Sequence, residues 1–171
     1  MKRLLPLLFV LPFALTAQTK TENYTVVRQY KDATTTALPD TSPDLITDVT
    51  YYDGLGRPKQ QLANKQSAQG ENIVTHIEYD AFGRQKKEYL PYPNAVQDLE
   101  VDPSALSGTQ GFYTTYNGGT AYPYSEKFFE ASPLNRVLKQ SAPGDAWAGD
   151  PNSDDDHTIR FEYEANKEED Y

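Results

Sequence analysis

Cysteine is absent from the 171 residues, and methionine and tryptophan occur once each. Without cysteine there are no disulfide staples, no thiolate nucleophile and no zinc–thiolate centre. Basic residues are outnumbered, 16 against 25 acidic, for a net charge of −9. A chain of that sign with no basic stripe is unsuited to a phosphate backbone, so no nucleic-acid partner is expected. Beyond the first fifteen residues there is no long apolar run, so no stable membrane span is expected. What is abundant is tyrosine, 13 residues, together with threonine. Both suit half-buried pleated surfaces and tilt the expectation toward β structure.

The one apolar run is at the start, "MKRLLPLLFVLPFALTAQTK". Lys2 and Arg3 precede an apolar core from Leu4 to Leu15, and Thr16-Ala17 offers small residues for cleavage. This is the layout of a secretory signal peptide over 1–17, with a mature chain starting near Gln18. Pro12 disfavours the competing reading of a buried helix. Export to the extracellular space, cell surface or periplasm is the expected localisation.

Residues 18–45 read as a short strand, Tyr24 to Tyr30, followed by a Thr/Pro/Asp-rich connector. Alternation then sets in. In "ENIVTHIEYD", Ile73, Thr75, Ile77 and Tyr79 fall on one face and Val74, His76 and Glu78 on the other. "ITDVTYYD" alternates less cleanly, Ile46 and Tyr52 against Val49 and Tyr51. Two stretches of this kind end in the same words: "TYYDGLGRPKQQ" and, 27 residues on, "IEYDAFGRQKKE". Each spells Y-D-x-x-G-R-x-K.

Turn chemistry accounts for that spelling. Asp opens a type I turn because its carboxylate accepts backbone N–H groups two residues on. Gly closes it, because the chain there enters the left-handed region. Asp53 and Asp80 take the first place, Gly56 and Gly83 the last. Arg57 and Arg84 are placed to reach the Asp or a neighbouring carbonyl, and Leu55 and Phe82 are expected to fold from the turn onto the sheet. Tyr52 and Tyr79 end the incoming strands; "PKQQLAN" and "QKKEYLPY" are the returning ones. A worn third copy is "KFFEASPLNRVLKQ", in which Phe129-Glu130 stands for Tyr-Asp and Asn135-Arg136 for Gly-Arg, with an insertion between. Asn is the best non-Gly residue at a left-handed position.

Between copies two and three, residues 94–124 are too long for a plain loop. Asp102-Pro103-Ser104 can open a short helix within 103–116, with Pro103 in its first turn, although Gly108 and Gly111 disfavour it. The last strand expected is "HTIRFEYE", after which nothing remains to pair with it, as though the sequence stopped inside an architecture.

The repeated Tyr52-Asp53…Gly56-Arg57 and Tyr79-Asp80…Gly83-Arg84 resemble the YD repeat of RHS (rearrangement hotspot) proteins and teneurins. Together with "FFEASPLNRVLKQSAPG", they make residues 24–171 similar to the N-terminal domain of unknown function of secreted bacterial RHS proteins. The resemblance implies β-hairpin ribbons that spiral into a hollow shell, which in bacterial members often encloses a C-terminal toxin and in others serves adhesion or cell contact. The chain departs from a full member in having about three copies and no C-terminal core motif.

The expected fold class is therefore mainly β: antiparallel hairpin repeats forming a twisted sheet, the start of a β-spiral or shell, with one short helix. The expected organisation is a signal peptide (1–17), an N-terminal strand and connector (18–45) and a repeat region (46–171). Its copies lie near 46–63, 72–93 and 125–144, with an insert over 94–124.

Little in the sequence points to catalysis. No serine stands in a nucleophile-elbow context, and His76, in mid-strand, reads as a sheet-surface residue. Asp53/Arg57 and Asp80/Arg84 could act as acid–base pairs, but a site is assembled once from different elements, whereas here a whole turn is duplicated. Asp150, Asn152 and Asp154 give a D-x-N-x-D opening for a hard cation. Asp155 and Phe161 then stand where a calcium loop needs Gly and Glu, so a solvated acidic loop beside His157 is expected instead. Phe112, Tyr113, Tyr116, Tyr122 and Tyr124 form a candidate contact surface. The expectation is a non-enzymatic module without cofactors, partnered by the remainder of an RHS-like polypeptide, shell and effector. The alternative is a stand-alone secreted module that binds a cell-surface protein or glycan through 112–124.

Overall fold

Alternation becomes burial in the second strand, where Leu45, Thr47, Val49 and Tyr51 are buried and the residues between them are half-exposed. A computed structural model describes residues 21–39, 42–96 and 98–165. Residues 1–17, expected to be a signal peptide, therefore lie outside the described residues. The elements, in chain order, are β1 (Asn23–Tyr30), β2 (Leu45–Tyr52), β3 (Pro58–Ala63), β4 (Asn72–His76), β5 (Lys87–Tyr89), β6 (Tyr92–Asn94), α1 (Ala105–Thr115), β7 (Tyr124–Phe129), β8 (Val137–Gln140) and β9 (Ile159–Arg160). The fold is mainly β, built from antiparallel strands with one short helix.

The strands form two sheets, ordered β1-β2-β3-β4-β6 and β5-β7-β8-β9. The second repeat joins them. Ile73 pairs with Pro93 and Val74 with Tyr92, while further along the same strand Ile77 bridges to Glu88 of β5. Segments β5 and β6 are thus one returning strand broken near Pro91, which lacks an N–H to continue the ladder. On its other edge β5 pairs with β7, Tyr89 opposite Tyr124. The strands follow one another in chain order across both sheets, with α1 inserted between β6 and β7. The last strand is shorter than "HTIRFEYE" suggests: Ile159 and Arg160 pair with β8, and Phe161 N–H donates to the Leu138 carbonyl at 3.0 Å.

One face of the five-stranded sheet carries the core: Val49, Tyr51, Leu62, Val74 and Tyr92, closed over by Leu99 and Ala105. Each fully buried aliphatic or aromatic side chain contributes about 1.5–3 kcal/mol. In β4 the buried side is the one with Asn72 and Val74. His76 lies on that side and corrects the surface reading. It is half-buried, with its ring 5.3 Å from Tyr89 and its Nε2 3.6 Å from Glu78.

The segment over 95–104 is strapped across the core by side chains rather than by strand pairing. The Gln60 amide donates to the Asp102 carbonyl at 2.8 Å and accepts the Asp102 N–H at 2.8 Å, acting as a substitute strand partner. The Asn72 amide donates to the carbonyls of Val96 and Asp98, and the Tyr51 hydroxyl to that of Leu99. Helix α1 follows this strap. Ser104 sits at its N-cap position, so Pro103 precedes the helix and does not occupy its first turn. Gly108, unfavourable in a helix by propensity, is required by packing: a Cβ there would overlap the Tyr92 ring.

Candidate functional site

The repeated turns are superposable in their bonding. In the first, Gly56 N–H donates to the Asp53 carbonyl (3.0 Å) and Asp53 N–H to that of Arg57 (2.9 Å). In the second, Gly83 and Asp80 do the same at 2.9 Å each, Asp80 to Arg84. Gly56 and Gly83 both have φ of 77°, the left-handed conformation expected of them. Strand register repeats as well: Thr50 pairs with Gln61, and 27 residues on Ile77 pairs with Glu88.

Each Asp serves two purposes. One carboxylate oxygen of Asp53 accepts the N–H groups of Leu55 and Arg57, both at 2.9 Å. The other accepts Arg57 Nε at 2.8 Å. Asp80 binds Phe82, Arg84 and Arg84 Nε in the same way. The N–H of Arg57 and the Arg57 side chain hold Asp53 below the usual carboxylate range, against a smaller opposing effect of desolvation. For Asp80, desolvation pushes upward, and the bonds from Arg84 and Phe82 outweigh it.

The worn copy keeps the design with longer parts. Four residues separate Glu130 from Asn135 where two separate Asp53 from Gly56, and the extra methylene of Glu spans the wider loop. Arg136 donates to Glu130 through its N–H (3.1 Å) and Nε (2.9 Å). That pairing pulls Glu130 down to about 2. Asn135 has φ of 55°, the left-handed place the sequence assigned to it.

The arginines do more than close their own turns. Arg57 lies 4.2 Å over the ring of Tyr79, the aromatic of the second motif. Arg84 lies 4.3 Å over Phe129, the aromatic of the third. Arg136 lies 5.1 Å over Tyr163. The glycine position of the next motif is involved too. A Cβ on Gly83 would stand 2.9 Å from the Arg57 guanidinium, and Arg84 Nη1 donates to the Asn135 side-chain oxygen at 2.9 Å. Each arginine is thus tied to its own carboxylate and laid on the following unit.

Tyr163 and Glu164 escaped the sequence reading. The Tyr163 hydroxyl donates to the Val137 carbonyl at 2.9 Å, as Tyr79 donates to that of Pro58 at 3.0 Å. Pro58 and Val137 each follow a motif arginine, so Tyr163-Glu164 occupies the Tyr-Asp place of a fourth unit. The available signal was an aromatic–acid pair after an alternating stretch. The β3–β4 turn, "SAQGE", is closed by Ser67 and Gly70 with the same bonds. Gly70 N–H donates to the Ser67 carbonyl and Ser67 N–H to that of Glu71, while Ser67 Oγ accepts the Glu71 N–H at 2.8 Å. That turn has no arginine.

Two expectations need correction or division. Leu55 and Phe82 do not fold back onto the sheet. They are 79 % and 81 % exposed, and Leu134 at the third turn is 72 % exposed. The Asp carboxylate and Gly fix the turn tightly enough that its central residue projects outward. The five aromatics do not make one surface: Phe112, Tyr113 and Tyr116 contact one another at the end of α1, whereas Tyr122 and Tyr124 group with Tyr89.

The acidic loop, in turn, does not gather its carboxylates. Asp150 Oδ1 accepts the Asn152 N–H, Asp154 is exposed, and no cluster of three metal-ligating side chains exists among the described residues. The loop wraps a cation of its own: the buried Lys139 ammonium donates to the carbonyls of Asp150 (2.7 Å) and Ser153 (2.6 Å) and pairs with Asp156. His157 is exposed, with Nδ1 2.9 Å from the Ala146 carbonyl.

No helix among the described residues is long and apolar enough to cross a membrane. No match was found among curated proteins or solved structures. Residues 24–161, most of the chain and all of its repeated turns, match the family described as Domain of unknown function (DUF6443), and the chain belongs to that family.

Proposed function

We propose that this chain is a non-enzymatic structural module at the N-terminal end of an exported RHS-like protein, contributing hairpins to a β-shell that carries or encloses a C-terminal effector. The observation that carries the reading is the passage of each motif arginine onto the aromatic of the next unit. The Ser67–Glu71 turn closes without an arginine, so Arg57, Arg84 and Arg136 are not needed to make a turn. Their placement suits joining one hairpin to the next, the nearest-neighbour logic of repeat architectures. The partner under this reading is the rest of the same polypeptide, and the leader at 1–17 accounts for export.

The test is made on the native secreted protein. Its intact mass should exceed that of 171 residues, and its C-terminal portion should resist protease until Arg57 and Arg84 are both replaced by Ala. A native product ending at Tyr171, or protection indifferent to the double replacement, overturns the proposal.

A further inference from the structure

Away from the arginine-bearing turns, at the opposite end of the meander, the Ser67–Glu71 turn faces the last turn of α1 across a cleft of about 510 Å3, floored by Pro91, Tyr92 and Pro93. That volume falls in the range of small-ligand pockets. On the helix side the aromatic rings are fixed in a corner. Phe112 and Tyr116 stack with centroids 4.8 Å apart at 23°. Tyr113 stands across both, at 89° to Phe112 and 88° to Tyr116. Its hydroxyl donates to the Pro91 carbonyl at 2.7 Å, which pins the corner to the floor. Tyr116 is 51 % exposed, although its neighbour Phe112 packs against the core.

The facing side is lined by Gln69 and Glu71. Neither side chain has a hydrogen-bond or ionic partner among the described residues, and no lysine or arginine lines the cleft.

We propose that this cleft is a binding site for a neutral pyranose, with one face of the sugar on Tyr116 and its hydroxyls on Gln69 and Glu71. A pyranose has one side of C–H groups and an equatorial belt of hydroxyls that donate and accept. An open aromatic ring satisfies the first, and an amide with a carboxylate satisfies the second. An anionic ligand is disfavoured because no cation lines the cleft and the chain carries −9. A proline-rich peptide is disfavoured because the tyrosine hydroxyl that would bond its carbonyl is already given to Pro91. The site is independent of the shell reading, since no motif residue takes part in it.

The experiment is titration of the secreted full chain with methyl β-D-glucopyranoside, methyl β-D-galactopyranoside and methyl N-acetyl-β-D-glucosaminide, followed by calorimetry and tyrosine fluorescence. Tetramethylammonium and decaproline serve as competing probes. At least one glycoside should bind saturably. Tyr116→Ala should weaken it about tenfold or more, the scale of one lost aromatic contact together with its buried area. Gln69→Ala, at an exposed turn position, should weaken it too without changing the circular dichroism. The proposal is overturned by absence of binding to all three glycosides. It is equally overturned by binding that neither substitution alters, or by saturable binding of tetramethylammonium or decaproline that the glycosides do not displace.

Discussion

The guanidinium of Arg57 rests 4.2 Å over the ring of Tyr79 while its Nε holds Asp53 at 2.8 Å. One side chain thereby belongs to two hairpins at once. Its planar shape matters to both contacts: the fork meets the carboxylate, and the flat face meets the ring.

A double-mutant cycle on Arg57→Lys and Tyr79→Leu should return a coupling of about 0.5–2 kcal/mol. Lysine keeps the charge and loses the flat face, so the single Arg57→Lys variant should already be destabilised. Urea denaturation measures all four proteins. Additive effects would show that the stack contributes nothing.

Gly56 and Gly83 share a φ of 77° and differ in surroundings. A Cβ on Gly56 meets nothing within 4 Å, whereas one on Gly83 stands 2.9 Å from Arg57. Gly56→Ala should therefore cost only backbone strain, about 1 kcal/mol. Gly83→Ala should cost more, and Gly83→Val about 1–3 kcal/mol. Equal losses for the two alanine variants would mean that the arginine yields freely.

Acid should unravel the relay in a defined window. Glu130 is held down to about 2, from an ordinary value of 4.5, and Asp53 and Asp80 are also held low. A carboxylate with a depressed native pKa contributes stability that is present above its unfolded value and lost as pH falls through the native one. Stability should therefore decline between about pH 4.5 and pH 2. The slope should be shallower in Glu130→Gln, as read by melting temperature against pH. An unchanged slope in that variant would remove Glu130 from the account.

Thr47 is buried at 1 % exposure, and its hydroxyl has no hydrogen-bond partner among the described residues. Thr47→Val keeps the shape and removes the stranded hydroxyl. It should stabilise the protein by about 1 kcal/mol. A loss of stability by denaturant titration would indicate a partner for the hydroxyl.

The turns were legible because they are local. Asp53, Gly56, Asp80 and Gly83 announce themselves through backbone needs met within four residues, and Asn135 could be recognised as a stand-in by the same logic. The helix was legible from the residues before it. What stayed hidden was the meeting of residues far apart in sequence. Nothing near Arg57 names Tyr79 as the ring beneath it, and nothing near Asp150 says that Lys139 will fill the acidic loop. His76 was misread because alternation separates two faces without saying which one α1 and its strap will cover. Tyr163 was passed over because its acid partner has no Gly-Arg after it within reach of the pattern.

The arginine contacts between units have a direction. Each motif arginine reaches forward to the aromatic of its successor, and Tyr79 and Tyr163 in turn donate back to the carbonyls of Pro58 and Val137. Tyr52, with no motif arginine before it among the described residues, meets instead Thr25 of β1, hydroxyl to hydroxyl at 3.1 Å. Among the described residues, β1 pairs with β2 where an earlier unit would otherwise meet Tyr52. Fraying should travel asymmetrically: losing Tyr163 uncovers Arg136 and loosens the third turn, while Tyr52 keeps its contact with Thr25. In this 171-residue chain, hydrogen exchange should therefore rise in steps from the first turn to the third.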